Sequence, residues 1–510
     1  MWLNFVIALI PIAWLIIALG VIKMPATRAT VIGLVLTGIL AILFFKQTLL
    51  DTISGAAEGI LMGLFPIIYV IVAALFTYNL TSKSGGLKVI QDLLSSITTD
   101  RRILVLIIAW GFGGFLEAIA GFGTAVAIPA GILIAFGVNP IAASVICLIA
   151  NTTPTAFGAI GLPVITLAQV TKLAVIPLST VVTYELLPLI VIIPFILVGI
   201  VGGGFKALKG VFWITLMSGL AFALPQVVVA RFIGAELPAI VGSICSIAVT
   251  VIMAKLRKKD AAESQTDIPH HSASEVLRAA SPFILVFILV ILVSPLVKPL
   301  KTALDGFKVS FPVYTGKGAS NFSFSYLSSP GTLIIVATIL GGLIQKMRLG
   351  EIFGILGTTI KGLGKTTITV CSIVALAKIM GYSGMTNALA VAFVKMMGPV
   401  YPLIAPLIGA IGTFVTGSDT SANVLFGNLQ LSAAKGLGDS VNWIVGTNMV
   451  GATAGKMISP QSIAVATAAI GQEGKEGEIL KAVMKWFIFY LVIICVYLYL
   501  VGIMTGQIKL

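Results

Sequence analysis

Apolar residues fall in blocks close to the roughly 20 that a membrane-spanning helix needs, and polar residues gather in short clusters between them. The pattern predicts twelve spanning helices, at about 2–22, 28–46, 59–82, 141–161, 183–204, 210–231, 236–256, 278–297, 330–346, 366–382, 441–458 and 481–503. Two further apolar pairs, about 103–138 and 401–434, are broken in the middle by glycine and polar residues. They read as re-entrant hairpins, because irregular backbone at membrane depth survives only where protein or a water-filled cavity meets its amides. The long blocks lack the period-2 alternation of barrel strands. The fold class that follows is an all-α polytopic membrane protein.

One stretch strains that pattern most. Residues 113–131 read GGFLEAIAGFGTAVAIPAG, placing Glu117, five glycines and a proline in otherwise lipid-compatible sequence. An ionised carboxylate at membrane depth costs at least a few kcal/mol, so this segment is expected to line a cavity. Three other polar islands share its character: Asn151 to Pro163 (NTTPTAFGAIGLP), Thr416 to Asn428 (TGSDTSANVLFGN) and Thr447 to Gln461 (TNMVGATAGKMISPQ). Glycine and proline there break helices, freeing N–H groups that favour an anion and carbonyls that favour a cation or a proton-bearing group.

The two halves of the chain echo each other. Gly63 matches Gly362, Ser84-Gly85 matches Ser383-Gly384 and Gly113-x-Phe115 matches Gly412-x-Phe414, all at an offset of 299; Asn151, Gly158 and Pro163 match Asn448, Gly455 and Pro460 at an offset of 297. Six predicted spans separate the helix at 59–82 from its echo at 366–382, and an even number makes the repeat inverted, a common layout in secondary transporters. The expected organisation is an N-terminal repeat over 1–204, with a hairpin at 103–138 and a broken helix at 141–163; connecting helices and a cytoplasmic linker over 205–277; and an inverted repeat over 278–510, with a hairpin at 401–434 and a broken helix at 441–461.

Composition narrows the class. With 58% hydrophobic and 10% charged residues and a mean hydropathy of +1.12, a soluble domain is excluded. A net charge of +14 would suggest nucleic acid in a soluble chain, but here the bases are scattered in short loops. They report orientation: with the N-terminus outside, Lys23/Arg28, Lys83 to Arg102, Lys206/Lys209, Lys255 to Arg278 and Lys346/Arg348 all fall on the cytoplasmic side. Twelve spans then put the C-terminus outside too. The first apolar run lacks a basic start and a cleavage site and reads as a retained helix. The stretch 298–328 falls outside despite four lysines and reads as an ordered external loop. The four cysteines show no CxxC spacing, so neither disulfides nor a metal site are expected, and no cofactor motif is present. His270 and His271 lie in the polar linker 257–275, whose ordinary reading is a solvated connector.

Glu117, Asp419 and Lys456 form the sharpest constellation, since ionisable groups at depth are functional candidates by default. Glu117 or Asp419 suits a transported proton; Lys456 suits a substrate carboxylate or an ion pair with either acid. Gly121, Gly123, Thr124, Asn151, Thr152, Thr153, Ser418, Thr420, Ser421 and Asn448 are the candidate substrate contacts, with plain helix capping as the competing role for the hydroxyls. Glu58, Glu185, Lys365, Lys378 and Lys395 sit nearer helix ends and read as snorkelling side chains. No GxSxG, P-loop or HExxH motif points to an enzyme.

The segments GGFLEAIAGFGTAVAIPAG, NTTPTAFGAIGLP, TGSDTSANVLFGNLQ and SPQSIAVA (459–466) together resemble the signatures of the bacterial L-lactate permease family, in order and across almost the whole chain. The resemblance implies membership of a broader ion transporter superfamily with inverted repeats, paired hairpins and elevator-type movement of a transport domain against a scaffold. It further implies proton-coupled symport of L-lactate, glycolate and D-lactate across a bacterial plasma membrane. The partners are then a small carboxylate with H+ and the lipid bilayer, with a homodimer as the candidate assembly. Sodium-coupled symport is the alternative, and an anion channel ranks below it.

Overall fold

The computed structural model describes residues 2–509 except 23, 122–123, 258–270, 317–318, 320 and 473–474. Among the described residues, twelve helices are long and apolar enough to cross a membrane, from Trp2–Leu19 to Glu476–Met504. Their number equals the expected one, but their membership differs. Met385–Thr416 and Arg101–Ile119 enter the set, while Pro330–Ile344 is short and Val441–Ile458 carries Thr447, Asn448, Thr453 and Lys456. The expected span at 141–161 is two pieces: Pro140–Ala150 stops at Asn151, and a second helix runs to Thr171 after a 3-10 turn at Pro154–Phe157. The left-handed backbone of Ala159, Ile160 and Gly161 makes that break. The span at 59–82 begins earlier, at Leu49, and kinks at Phe65. Leu349–Gly362 forms a helix that apolar-run counting passed over, because Glu351 and Lys361 on its exposed side leave no apolar run of spanning length.

The helices pack as two bundles. Ala26–Phe45, Leu49–Met62, Tyr69–Lys83, Ala273–Leu292, Pro330–Ile344 and Gly364–Ser383 pack chiefly on one another and form the first bundle. Its centre is a close helix crossing: Gly59 and Gly63 leave no room for a Cβ against Ala375 and Cys371, so the backbones touch. Beside the crossing Lys378 Nζ donates to Glu58 Oε1 at 2.7 Å, and Tyr382 Oη donates to the same carboxylate at 2.9 Å. The segment 298–328 folds over this bundle through a two-stranded antiparallel hairpin, Lys308–Pro312 with Asn321–Ser325. Tyr314 stacks on Tyr382 with ring centroids 3.6 Å apart.

The second bundle holds two helical hairpins, Arg101–Ile119 with Thr124–Ala135 and Tyr401–Thr416 with Asp419–Leu437, together with Pro140–Ala150, Val175–Val201, Phe212–Phe232, Pro238–Arg257, Val441–Ile458 and Glu476–Met504. Small residues again set its spacing. A Cβ on Gly409, Gly451 or Gly455 would run into the backbone of Asn448, Pro406 or Ala410, so the helices 401–416 and 441–458 meet backbone to backbone.

The elements recur in order. Leu49–Lys83 and Gly86–Ser95 precede the first hairpin as Leu349–Gly362, Gly364–Ser383 and Met385–Met397 precede the second. The matched glycines Gly85 (φ 79°) and Gly384 (φ 87°) make the same left-handed turn.

Charged ends gather as well. Asp100 caps the first hairpin's opening helix, and its carboxylate binds Arg102 (2.8 Å) and faces Arg257 (3.8 Å), while Arg102 also donates to the carbonyls of Ala207 and Lys209. Asp92 similarly meets Lys88 at 2.6 Å and His271 at 3.3 Å. The open end of the second hairpin lies elsewhere, against the C-terminus, where the Lys509 backbone N–H donates to Asp439 at 2.8 Å.

Candidate functional site

Each hairpin turns at a glycine with left-handed backbone, a conformation that side chains resist. Gly121 (φ 61°) follows Gly113–Ile119, and Gly417 (φ 72°) ends Tyr401–Thr416. After Gly417, Ser418 caps the next helix by accepting from the Ser421 N–H at 3.3 Å, which puts Asp419 in the first helical turn. Ser459 caps Pro460–Ala469 in the same way, accepting from Ser462 N–H at 3.2 Å.

The two tips and the break at 151–161 converge. Thr155 Oγ1 lies 3.1 Å from Glu117 Oε1 and 2.8 Å from Asp419 Oδ2. All three residues are 3% exposed. Asn151 stands beside Glu117 and Thr413 beside Asp419. The second oxygens, Glu117 Oε2 and Asp419 Oδ1, lack a well-formed hydrogen bond among the described residues. Gly158 makes the approach possible, since its missing side chain leaves the space that Glu117 occupies. Lys456 reaches the second tip, donating from Nζ to the Gly417 carbonyl at 3.1 Å, within electrostatic reach of both acids.

These groups face a cavity of about 470 Å³ between the two bundles. The first bundle supplies Ala26, Thr27, Ile67, Ile71, Lys365 and Thr366; the second supplies both acids, Thr155, Lys456 and the helix starts at Ser418–Ser421 and Pro460–Ser462. Several helix N-termini therefore open on one chamber, an arrangement that attracts an anion.

Of the residues singled out from sequence, Glu117, Gly121, Ser418, Asp419, Thr420, Ser421 and Lys456 line this chamber. Asn151, Thr152 and Thr153 are buried behind it, Thr152 returning its hydroxyl to the Ile149 carbonyl at 2.7 Å. Asn448 belongs to a buried amide network, donating to Asn423 at 2.9 Å and accepting from Gln430 at 3.4 Å. Gly123 and His270 lie outside the described residues, and only the backbone of Thr124, the first residue of its helix, is described. Sequence reasoning missed Thr155, Gly158, Gln461 and Ser462. Lys365 lines the chamber and Glu58 is paired with Lys378, so neither is a plain snorkelling side chain. Glu185 departs further from that expectation: it is fully buried, with neither oxygen well bonded among the described residues.

Comparison with known proteins decides the family. The family model described as L-lactate permease matches residues 4–505. The chain belongs to the L-lactate permease family. An L-lactate permease of Streptococcus iniae is 54% identical over 86% of this chain and 92% of its own length. The L-lactate permease of Escherichia coli K12 is 34% identical over 97% of this chain and 95% of its own, and the glycolate permease GlcA of the same strain is 34% identical over 95% and 93%. As a member of this family the chain is a multi-pass membrane transporter and not an enzyme. The solved structure of Neisseria gonorrhoeae MtrF, described with a class of antimetabolite efflux pumps, aligns over 94% of this permease-family chain and 96% of its own, with a TM-score of 0.53 and 13% identity. That likeness concerns the fold alone.

Proposed function

We propose that this chain carries L-lactate, glycolate and D-lactate into the cell by proton-coupled symport, with Glu117 and Asp419 handling the proton. The single observation carrying the proposal is the buried pair of carboxylates joined through Thr155 at the wall of a chamber that also presents Lys456 and helix N-termini. A small carboxylate gains from the lysine and the N–H groups. A carboxyl group shielded from water suits reversible protonation. Substrate contact falls to Gly121, Gly123, Thr124, Ser418, Thr420, Ser421 and Lys456, with Asn151, Thr152 and Thr153 at the helix break behind them and Asn448 in the amide network that joins its helix to the second hairpin.

The transport cycle is read as an elevator. The bundle with both hairpins moves against the other, carrying the chamber across the membrane, and the hairpins are re-entrant elements of an inverted repeat. The recurring element order and the shared glycine turns support this. So do the hairpins' open ends, one among Asp100, Arg102 and Arg257 and the other against the C-terminus. The approach of Arg257 and His271 to the charges at 88–102, with Arg102 bonded to the loop carbonyls of Ala207 and Lys209, supports a common cytoplasmic face with both termini outside.

The test is reconstitution of the full chain in proteoliposomes and measurement of labelled lactate uptake. Accumulation is expected with an inward proton gradient and not with a sodium gradient alone. Uptake driven only by sodium would remove the proton from the scheme. Glycolate and D-lactate are expected to compete with labelled L-lactate.

A further inference from the structure

Thr155 poses a question of proton counting. A hydroxyl has one proton to donate and two lone pairs to accept with. Its Oγ1 lies within hydrogen-bond distance of two different carboxyl groups, Glu117 Oε1 and Asp419 Oδ2. The single proton satisfies one of them. The other contact becomes a hydrogen bond only when that acid brings a proton of its own and donates it to Oγ1. Without that proton, an anion and a lone pair would face each other in a site almost closed to solvent, costing several kcal/mol.

We infer that Glu117 and Asp419 hold one proton between them through Thr155 throughout the cycle, and that a second proton is the one transported. This inference rests on the proton-coupled reading above. The shared proton sits on either acid, Asp419 Oδ2–H to Thr155 Oγ1 with the hydroxyl donating to Glu117 Oε1, or the reverse. The second proton goes to the remaining carboxylate, at Glu117 Oε2 or Asp419 Oδ1, the two oxygens without a well-formed hydrogen bond among the described residues. It enters with the substrate and leaves with it.

Charge balance supports this count. Among the described residues, the charged and titratable groups facing the pair are Lys456 from the helix Val441–Ile458, Lys365 exposed at the chamber wall and Tyr490 from the last helix, whose hydroxyl is bonded to Thr453 at 2.7 Å. Asn151 and Thr413 beside the acids are neutral. With one shared proton, the pair's single negative charge cancels Lys456 and the empty site is neutral. A monocarboxylate adds one negative charge, and the second proton cancels it. Both the loaded and the empty site then cross the membrane without net charge, avoiding the cost of carrying an ion through low dielectric. One proton accompanies each monocarboxylate, and the membrane potential does not drive uptake.

The experiment combines spectroscopy with transport in the full-length protein. In the infrared spectrum of the purified protein at neutral pH, a protonated-carboxyl carbonyl band is expected, diminished in Glu117→Gln and in Asp419→Asn and shifted in Thr155→Val. Absence of that band in the parent protein would overturn the proposal even if every variant failed to fold. In proteoliposomes, Thr155→Val is expected to lower the ratio of proton-driven accumulation to lactate–lactate exchange by about tenfold or more, and Thr155→Ser to restore it. Equal loss of accumulation and exchange, with the protein present at parent levels, would make Thr155 a substrate contact and overturn its role as proton bridge. An unchanged ratio would do the same. Parent protein that accumulates lactate on a sodium gradient alone would remove proton coupling and this inference together; accumulation driven by membrane potential without a pH gradient, or a proton-driven parent with an unaffected Thr155→Val, would remove this inference alone.

Discussion

Gly158 owes its place to what it lacks. A Cβ there would stand 2.8 Å from Glu117 Oε1, and that oxygen cannot retreat without leaving Thr155. Overpacking of this kind costs about 1–3 kcal/mol, taken here from the geometry of the acid pair. Gly158→Ala is therefore expected to cut proton-driven lactate uptake by about tenfold, with only a modest drop in the thermal unfolding midpoint in detergent. Parent-like uptake would show that Glu117 tolerates displacement and does not depend on this bridge. Lys456 is tested by binding. Losing a charge-assisted contact to a carboxylate costs about 1.5–3 kcal/mol, or roughly 10–100-fold in affinity, so Lys456→Ala is expected to weaken lactate binding by that factor in a titration of the purified protein. A lysine that only props up the Gly417 carbonyl would instead reduce the yield of folded protein without changing affinity. Glu117, Asp419 and Lys456 were legible because each sits in a polar island inside an apolar sequence, whereas Lys365, near a predicted helix end, read as a snorkelling side chain. Thr155 was not: it shares its island with Thr152 and Thr153, and which hydroxyl points forward is decided by the 3-10 turn and the three left-handed residues after it.

Helices were legible wherever an apolar block was long and uninterrupted. The terminal helix Glu476–Met504 and the pair Phe212–Phe232 and Pro238–Arg257 fall where the blocks stand. Legibility failed where packing, not lipid, sets the pattern. Val441–Ile458 is buried at nearly every position against other helices, so its sequence favours small and polar residues over apolar ones. What holds it is backbone proximity, and Gly455 is the sensitive point: even a methyl group would run into Ala410. Gly455→Leu is expected to destabilise the second bundle by more than the roughly 1–3 kcal/mol of ordinary overpacking, read as loss of monodisperse protein in detergent. Recovery of folded, active Gly455→Leu protein would contradict the close crossing. The cap at Asp100 gives a pH-dependent test outside the spans. Burial pushes its carboxyl pKa up, but the hydrogen bonds from Arg102 and the charges of Arg102 and Arg257 outweigh that and hold it below its ordinary value. A folded-state value below the unfolded one stabilises above the unfolded value, and the contribution is lost as pH falls through the folded value. Asp100→Asn is thus expected to lower the unfolding midpoint at neutral pH and to converge with the parent in acid; a constant gap at all pH values would assign the effect to packing.

At the scale of the molecule, the chamber is a seam. Its walls come from two bundles that pack chiefly within themselves, and chain order alone could not reveal this, because each bundle takes helices from both halves. The internal echo at 299 residues pointed to duplicated parts but not to the way they exchange partners: Glu58 of the first half pairs with Lys378 of the second inside one bundle, while Thr155 and Asp419 meet inside the other. Such a seam has mechanical meaning if one bundle slides along the other. In that motion the acids would travel together, because Glu117, Thr155 and Asp419 all belong to the bundle with the hairpins, and Ile71 and Lys365 would stay behind on the other wall. Cysteines introduced at Ile71 and Phe414, which face the chamber from opposite bundles, and joined by a cleavable bifunctional maleimide in a background free of native cysteines, are expected to stop lactate uptake and counterflow. Reductive cleavage of the tether should restore both. A control pair within the second bundle, Phe414 and Val465, should leave transport intact when tethered, because sliding of one bundle along the other would carry these two walls as one. Full transport with the 71–414 tether in place would mean that the bundles need not slide, and that access to the chamber changes through the hairpin tips alone.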